Sequence, residues 1–245
     1  MAYFINNLKQ KIAYKYHKGK SPGIIFIHGL NSDMEGKKAL SIEKYAKKKG
    51  LSFLRFDCRG HGKSYGKFHN FTITDWKNDL VNIIDKISRG QQILIGSSLG
   101  GWLMMLAARS RKSKIAGLIG LAPAADATTW MLDEFPKKIQ SEIQKKGIAY
   151  FKKWNVYLTK KFFENGNKNL VLKNNFSLNK PTILIHGLKD KDVSPSISEK
   201  ILKKISNNNA QIIYLKNSGH RLSNKNELIT IHNAIDNILK LIKHS

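Results

Sequence analysis

The sequence predicts an α/β fold in which helices cover both faces of a mostly parallel central sheet. Short apolar runs alternate with longer amphipathic stretches along the chain, and this order of elements is typical of parallel sheets. The runs are apolar throughout instead of alternating with polar residues, as expected of strands that are buried on both faces. With 245 residues, 41% of them hydrophobic, the chain can form one substantial core, and we predict a single domain over residues 1–245.

The predicted elements follow in order from the N-terminus. In residues 1–20, Tyr, Ile and Phe alternate with polar residues, as in an opening β-hairpin. After the first core strand, apolar residues repeat at helical spacing, and that helix stops at Gly50. The further predicted strands are 23–29, 51–57, 91–97, 114–122, 181–187 and 210–216, and the predicted helices are 36–50, 73–89, 99–109 and 224–242.

Residues 124–180 interrupt the alternation, and we predict that they form a short helical cap inserted between two strands. Phe151, Trp154, Leu158 and Phe162 fall on one helical stripe. Two interpretations stay open: the segment packs on the core as an ordinary helical excursion, or some of its aromatic residues also line an apolar substrate pocket. The eight aromatic residues between positions 130 and 163 are Trp130, Phe135, Tyr150, Phe151, Trp154, Tyr157, Phe162 and Phe163.

The net charge of +26 invites a nucleic-acid-binding function, but the type of basic residue argues against it. Only six of the 43 basic residues are Arg, whereas contacts that read DNA sequence or bind phosphate favour Arg. The joint excess of Lys, Asn and Ile is typical of a solvated surface encoded by an A/T-rich genome. We therefore predict no specific nucleic-acid partner, and we expect only weak attraction to polyanions and anionic membrane surfaces.

One serine lies on a tight turn between a predicted strand and a predicted helix. The strand 91–97 leads into the segment GSSLG, residues 96–100, and a helix follows. This arrangement resembles the nucleophile elbow of the α/β-hydrolase fold, in which small flanking residues leave room for the serine on the turn. Ser98 occupies the central position of the motif, whereas Ser97 does not. We predict the α/β-hydrolase fold, with Ser98 as the nucleophile of a serine hydrolase.

The general base is expected late in the chain, because the order in this fold is serine, acid, histidine. A serine hydroxyl becomes an effective nucleophile when a base accepts its proton and a third group orients that base. His220 follows the last predicted strand, on a loop that would return toward Ser98. Order and position favour His220 over the other histidines, which are His17, His28, His61, His69, His186, His232 and His244.

Two aspartates are candidates for the acid that orients His220. Asp190 follows the strand 181–187, at the position that most hydrolases of this fold use, and Asp126 follows the strand 114–122, where a minority place the acid. We favour Asp190 because HG-x-x-D-x-x-V is a recurrent pattern in the fold. The acid would fix the tautomer of His220 and stabilise its imidazolium without taking up the proton.

A tetrahedral intermediate formed at Ser98 would need two backbone N–H donors for its oxyanion. Leu99 directly follows the predicted nucleophile, and Leu30 follows His28-Gly29 at the end of the first core strand. We predict the N–H groups of Leu30 and Leu99 as the oxyanion hole. The N-terminus of the helix behind Ser98 would add positive potential there.

The sequence predicts no metal and no cofactor. Cys58-x-x-His61 together with His69 resembles part of a metal site, but carboxylate support is poor and a turn, RGHG, accounts for the pattern. The glycines between residues 29 and 66 do not follow the spacing that cradles a pyrophosphate, so no nucleotide is implied.

Several longer segments are more specific than the serine motif. GSSLGGWLM with the downstream PAADAT, LRFDCRGHGKS, PTILIHGLKDKDV and the SGHR loop resemble the family of mitochondrial α/β-hydrolase-domain depalmitoylases and its bacterial relatives. The resemblance is continuous over about residues 23–128. It implies a palmitoyl-protein thioesterase that removes long acyl groups from protein cysteines, and it also implies hydrolysis of acyl-glucuronide esters. Carried over by motif, it implies the triad Ser98, Asp190 and His220.

We therefore expect an esterase or thioesterase that acts through an acyl-enzyme on an acylated small molecule or an S-acylated protein. A general carboxylesterase or lipase with the same triad is the alternative. A serine peptidase and a catalytically silent binding protein are weaker alternatives, because nothing in the cap suggests amide selectivity and the triad is intact.

The sequence also leads us to expect a cytoplasmic location. No apolar run approaches the length of a membrane-spanning helix, so we expect a soluble protein. The N-terminus lacks a signal-peptide pattern, and Cys58 is the single cysteine, which suits a reducing compartment. Strand-like residues begin almost at Met1, so we expect no mitochondrial targeting segment.

Overall fold

The structure is a computed structural model that describes residues 1–173 and 177–243. Residues 174–176 of the predicted cap and the candidate His244 lie outside the described residues. The strands are β1 (Ala2–Ile5), β2 (Lys11–His17), β3 (Lys20–Ile27), β4 (Leu51–Phe56), β5 (Gln92–Ser97), β6 (Ile115–Leu121), β7 (Ile148–Phe151), β8 (Val156–Thr159), β9 (Thr182–Gly187) and β10 (Ala210–Leu215). The helices are α1 (Lys37–Lys48), α2 (Ile73–Asn82), α3 (Leu99–Ser110), α4 (Lys137–Lys146), α5 (Lys160–Asn167), α6 (Ser196–Leu202) and α7 (Lys225–Lys243).

Eight strands form one central sheet in the order β1-β2-β4-β3-β5-β6-β9-β10. The pairs from β4 to β10 are parallel. The opening hairpin β1–β2 adds two antiparallel strands at one edge, since β2 pairs antiparallel with β4. The predicted fold class, a mostly parallel sheet in an α/β protein, is confirmed, and so is the N-terminal hairpin.

The side chains of the central strand β3 show why these strands are apolar throughout. Ile25 and Ile27 pack in a core with α2 and α3, while Ile24 and Phe26 pack in a second core with α1 and α7. All four side chains are buried, because successive residues of a strand point to opposite faces and both faces are covered by helices.

Between β6 and β9 the chain leaves the sheet and forms α4, the hairpin β7–β8 and α5. The predicted helical stripe through Phe151, Trp154 and Leu158 is wrong over residues 148–159, because this stretch is a β-hairpin with a turn at 152–155. Buried Ala149 and Leu158 alternate with exposed neighbours at the period of a strand. The turn ends at Asn155, which has φ 51°, a conformation that Asn tolerates. Phe162, by contrast, is helical and buried.

Two further details differ from the predicted elements. The helix predicted at 73–89 is α2 followed by a single π turn at residues 83–87. The short helix α6 was not predicted, since its seven residues are too few to show helical periodicity. Among the described residues, none of the helices is long and apolar enough to span a membrane.

Candidate active site

Ser98 stands between β5 and α3 with φ 53° and ψ −120°. A non-glycine residue with positive φ is uncommon and marks local strain that the surrounding structure must maintain. Here three backbone hydrogen bonds hold the residue: its N–H donates to Leu121 at 2.9 Å, and its carbonyl accepts from Gly101 and Ala124 at 2.9 Å each. The strained turn is thereby fixed to the end of β6.

The two motif glycines allow the turn to pack this tightly. A Cβ atom on Gly96 would lie 2.6 Å from the carbonyl carbon of Gly100, and one on Gly100 would lie 2.5 Å from the carbonyl oxygen of His28. Contacts this short against backbone have no room to relax. The glycines therefore let α3 begin directly against the end of β3, beside the loop that carries Leu30.

The three side chains predicted as the triad form one hydrogen-bonded chain. His220 Nε2 lies 2.9 Å from Ser98 Oγ, and His220 Nδ1 lies 2.8 Å from Asp190 Oδ2. These residues are 122 and 30 positions apart in sequence, so the fold brings them together. Gly187, at the end of β9, lets the His220 loop approach, because a Cβ there would lie 2.5 Å from the Ser218 carbonyl carbon.

The carboxylate of Asp190 is fully buried and accepts hydrogen bonds on both oxygens. Oδ1 accepts the N–H groups of Asp192 at 2.8 Å and Val193 at 2.9 Å, while Oδ2 faces both His220 and His186. Burial alone would raise the pKa of the Asp190 carboxyl, but the hydrogen bonds from His186 and His220, the electrostatic attraction to His220 and the N–H of Val193 together outweigh it and hold that pKa well below its ordinary value. The group is therefore an anion at neutral pH.

Asp126, the alternative acid, binds elsewhere. Its two oxygens accept the backbone N–H groups of Val171 at 2.7 Å and Leu172 at 2.8 Å. The residue itself has φ 53° and is buried. Its position ties the chain that follows α5 to the end of β6. The structure therefore brings Asp190, and not Asp126, to His220.

The two predicted oxyanion donors lie at the cavity in front of Ser98. Leu30 and Leu99 both line it, and a Cβ placed on Gly29 would lie 3.8 Å from Ser98 Oγ. Within the described ranges, neither N–H donates a hydrogen bond to another residue. Both groups stand beside the predicted nucleophile with their hydrogen-bonding capacity unused.

His28 fixes the loop that carries Leu30, and no local pattern in the sequence indicates this role. Its Nε2 accepts the N–H of Cys58 at 3.1 Å, so Nδ1 carries the proton and donates to the carbonyl of Gly29 at 2.8 Å. Burial lowers the pKa of His28, which keeps the ring in this neutral form. The ring thus couples the loop after β3 to the loop after β4.

A cavity of about 730 Å³ opens in front of Ser98, within the range of ligand-binding pockets. The loop after β3, the start of α1 and the residues after His220 contribute mostly polar and charged groups. The end of β6 and the excursion, by which we mean the chain between β6 and β9 (residues 122–173 and 177–181), contribute mostly apolar ones. The apolar lining includes Leu99, Ala124, Ala127, Trp130, Met131 and Trp154, and the polar lining includes Ser32, Asp33, Lys37, Lys38, Arg221 and Ser223.

The hairpin turn is attached to both sides of this cavity. Asn31 Nδ2 donates to the carbonyl of Trp154 at 2.6 Å, and Lys153 Nζ forms an ion pair with Asp192 Oδ1 at 2.6 Å. Asp192 lies two residues beyond Asp190, so the ion pair joins the excursion to the loop of the predicted acid. Of the two interpretations of the predicted cap, this geometry fits the one in which aromatic residues also line a pocket.

The fragment around Cys58 is not arranged as a metal site. Cys58 and His61 are buried, and His61 packs against the rings of Trp76 and Phe68. Across residues 1–173 and 177–243, no three His, Cys, Asp or Glu side chains are grouped so that they could hold a metal ion.

Comparison with known proteins agrees with this geometry. The family profile described as "Serine aminopeptidase, S33" matches residues 20–171. The human protein named "Palmitoyl-protein thioesterase ABHD10, mitochondrial" is 37% identical over 233 residues, which is 93% of this chain and 76% of the human protein. The cattle protein of the same name is 36% identical over the same shares. The predicted resemblance to the mitochondrial α/β-hydrolase-domain depalmitoylases is confirmed.

Solved structures give the same result. The mouse alpha/beta hydrolase domain-containing protein 10 superposes with a TM-score of 0.92 at 34% identity, covering 98% of each chain. Est1E from Butyrivibrio proteoclasticus, crystallised with ferulic acid, superposes with a TM-score of 0.86 over 100% of each chain. At 22% identity, the second match shows the fold alone.

The comparison overturns the predicted cytoplasmic location. Relatives at 36% and 37% identity carry "mitochondrial" in their names, which points to mitochondria. The prediction relied on a single cysteine and on the N-terminal residues, and neither observation distinguishes the cytoplasm from other compartments.

Proposed function

Because this chain belongs to the α/β-hydrolase family, we propose that it is a serine hydrolase that cleaves acyl thioesters of protein cysteines, or acyl-glucuronide esters. The observation that carries this proposal is the chain of hydrogen bonds from Ser98 through His220 to Asp190, which faces a cavity with an apolar wall. The names of the relatives support the thioesterase activity over a general esterase.

In the first step, Ser98 Oγ attacks the acyl carbonyl carbon while His220 Nε2 accepts the hydroxyl proton. Asp190 holds His220 with Nδ1 protonated, so that Nε2 is free to accept, and stabilises the imidazolium that forms. The tetrahedral intermediate collapses when the bond to the leaving sulfur or oxygen breaks. The leaving group takes the proton from His220, and the acyl group stays on Ser98.

In the second step, water enters and His220 accepts one of its protons. The hydroxide attacks the acyl carbonyl, and the bond to Ser98 Oγ breaks. His220 returns the proton to the serine, which regenerates the starting state and releases the carboxylic acid.

The oxyanion of both intermediates would accept hydrogen bonds from the N–H groups of Leu30 and Leu99. Ser98 stands at the N-terminus of α3, where the helix dipole adds positive potential. Removing one such donor typically lowers turnover by about 10²–10³. The close packing of Gly100 against the backbone of β3 fixes the position of the Leu99 N–H. The hydrogen bonds of His28 fix the loop that carries the Leu30 N–H.

The test is covalent labelling followed by a substrate series. Fluorophosphonate should label the wild-type protein and Ser110→Ala, which changes a serine at the far end of α3, but not Ser98→Ala. Labelling of Ser98→Ala at full intensity would refute the assignment.

Acyl-cysteine thioesters and p-nitrophenyl esters of increasing chain length then separate the substrates. Preference for long-chain thioesters supports the proposal, whereas a flat profile on short esters identifies a general carboxylesterase or lipase. An aminoacyl amide serves to detect a peptidase.

We further propose that the excursion binds weakly to anionic membrane surfaces. Residues 137–161 contain a single acidic residue, Glu142, and two exposed tyrosines, Tyr150 and Tyr157, whose rings lie 5.1 Å apart. Tyrosine is common at membrane interfaces, and each lysine near an anionic surface contributes about 1 kcal/mol. The same segment carries eight exposed lysines: Lys137, Lys138, Lys145, Lys146, Lys152, Lys153, Lys160 and Lys161.

Vesicle sedimentation tests this binding. We expect the protein to sediment with phosphatidylcholine vesicles only when phosphatidylserine is added, and Lys145→Glu with Lys146→Glu to weaken sedimentation. The matched control is Lys112→Glu with Lys114→Glu, a pair of exposed lysines that precede β6 at the amino end of the parallel strands. Sedimentation that does not depend on phosphatidylserine would contradict the proposal.

A further inference from the structure

Asp190 is in contact with a second histidine, His186, which is fully buried at the end of β9. Its Nε2 lies 3.2 Å from Asp190 Oδ2 and 3.0 Å from the carbonyl oxygen of Val193. Its Nδ1 lies 2.7 Å from the hydroxyl of Ser198, a buried residue of α6. Both ring nitrogens are therefore engaged, and one faces the same carboxylate oxygen that binds His220.

The partners determine the proton position on His186. Nε2 faces a carboxylate oxygen and a carbonyl oxygen, neither of which can donate, so Nε2 must carry hydrogen. With the proton on Nε2, Nδ1 accepts a hydrogen bond from the Ser198 hydroxyl. His186 therefore donates a hydrogen bond to Asp190 through Nε2. It offers no acceptor there that could compete with Asp190 for the Nδ1 proton of His220.

We propose that His186, held by Ser198, is a positioning residue for Asp190: it fixes the carboxylate and limits how strongly that carboxylate stabilises the His220 imidazolium. The inference rests on the proposed function, since it gives His186 a role in positioning the acid of the proposed triad. Without His186, Oδ2 of a fully buried carboxylate would lose one of its two imidazole donors. Its negative charge would then act on His220 alone.

A purely structural role for His186 would be to join α6 to β9, and it makes a different prediction. Loss of the hydrogen bond between His186 and Ser198 would then lower the stability of the fold without changing the pH dependence of the reaction at Ser98. Loss of a donor to Asp190 would instead strengthen the stabilisation of protonated His220, which cannot accept the Ser98 proton. The acid limb of the pH profile would then move to higher pH.

The charged groups around His186 allow this interpretation. Asp190 and His220 are the groups on its own side of the site, and Asp192 is paired with Lys153. On the neighbouring strand β10, Tyr214 is opposite His186 in register and binds Glu199 of α6. Substitution of His186 changes none of these side chains chemically.

The experiment measures the rate of fluorophosphonate labelling of Ser98 against pH, in the full chain. His186→Leu removes the donor, and His186→Gln keeps an amide N–H near the position of Nε2. We expect His186→Leu to label about tenfold to a hundredfold more slowly, with its acid limb moved upward by several tenths of a pH unit. We expect His186→Gln to recover most of the rate and to return the limb toward that of the wild type.

Controls separate the possible failures. His232→Leu changes a half-buried histidine that bonds Ser41 on the other face, and should label as the wild type does. If His186→Leu fails to fold, Ser198→Ala tests the same arrangement by removing the hydroxyl that holds Nδ1, with a smaller shift in the same direction.

Equal labelling and an unchanged acid limb in these variants would overturn the inference, as would equal losses in His186→Leu and His186→Gln with no shift of the limb. Absence of labelling in the wild type would instead refute the proposed function itself.

Discussion

Asp190 and Asp126 follow the carboxyl ends of two neighbouring parallel strands, β9 and β6, and both side chains are buried. They differ in their donors. Asp190 accepts two backbone N–H groups and two imidazoles, whereas Asp126 accepts the two backbone N–H groups of Val171 and Leu172. Position at a strand end makes both of them candidates for the orienting acid. Their hydrogen-bond partners distinguish Asp190, which contacts His220, from Asp126, which binds backbone N–H groups.

Because their partners differ, the pKa values of the two carboxyl groups shift in opposite directions. At Asp126, burial raises the carboxyl pKa, and the backbone hydrogen bonds from Val171 and Leu172 offset this only in part. At Asp190, burial again raises the carboxyl pKa, but the two histidines and the N–H of Val193 together more than offset it, so the pKa falls. Hydrogen bonds from imidazoles therefore keep the buried carboxylate of Asp190 ionised. The two backbone N–H groups at Asp126 stabilise its ionised form less strongly.

The largest expected effect is that of Asp190→Asn on turnover. An amide in place of the carboxylate presents the wrong partner to His220 Nδ1, so we expect kcat to fall by about 10⁴ with little change in fold. Steady-state hydrolysis of an activated ester measures it. If Asp126→Asn, assayed in parallel, lost as much activity, the division of roles between the two aspartates would be wrong.

Asp126→Asn should instead act on stability. The amide can accept only one of the two N–H groups and turns its own NH₂ toward the other, so we expect the free energy of unfolding to fall by about 1–3 kcal/mol. We expect kcat to stay within about tenfold of the wild-type value. Urea denaturation gives the first quantity, and a loss of activity without a loss of stability would contradict this interpretation.

The pH dependence of stability should separate the two sites by its sign. The pKa of Asp190 is lowered on folding, so below pH ~4 the unfolded chain binds more protons there and the Asp190 contribution is lost as pH falls. The pKa of Asp126 is raised, so the folded chain holds that proton more tightly and the Asp126 contribution falls as pH rises above ~4.

Urea denaturation from pH 3 to pH 7 checks these signs. The stability difference between wild type and Asp190→Asn should shrink toward acid pH, and the difference for Asp126→Asn should grow. Parallel curves for the two variants would show that the opposite pKa shifts are absent.

The smallest effect concerns the ion pair that joins the two regions. Lys153 and Asp192 are both partly exposed, so Lys153→Met should change stability by no more than about 1 kcal/mol. We expect a severalfold rise in KM with kcat retained, since the pair holds the hairpin turn over the cavity. Lys152→Met, next to it, is the control. Identical KM values in the two variants would show that the ion pair does not position the turn.

The parts of the fold that sequence could predict are those with local signals. Buried strands appear as apolar runs, and the serine motif, the order of acid and base and the HG-x-x-D pattern together indicated Ser98, Asp190 and His220. The hairpin was missed because Phe151, Trp154 and Leu158 satisfy helical spacing while their neighbours satisfy strand alternation. Order and position in the sequence favour His220 over His186, which ends a strand ahead of a glycine. The contact of His186 with Ser198 was not visible in the sequence, because α6 is too short to be recognised by its period.

β6 and β9 are hydrogen-bonded neighbours, with Leu121 opposite Ile185. Because the two strands are parallel, the excursion leaves the sheet at the carboxyl end of β6 and re-enters it at the amino end of β9, where Thr182 lies opposite Leu118. An insertion rooted in this way can be lengthened, trimmed or grafted from another protein while the strands that support the reacting groups keep their register. Selection can then change which acyl chains the cavity accepts without altering the groups that transfer the proton. Replacement of this segment is likewise the way to engineer a different substrate specificity.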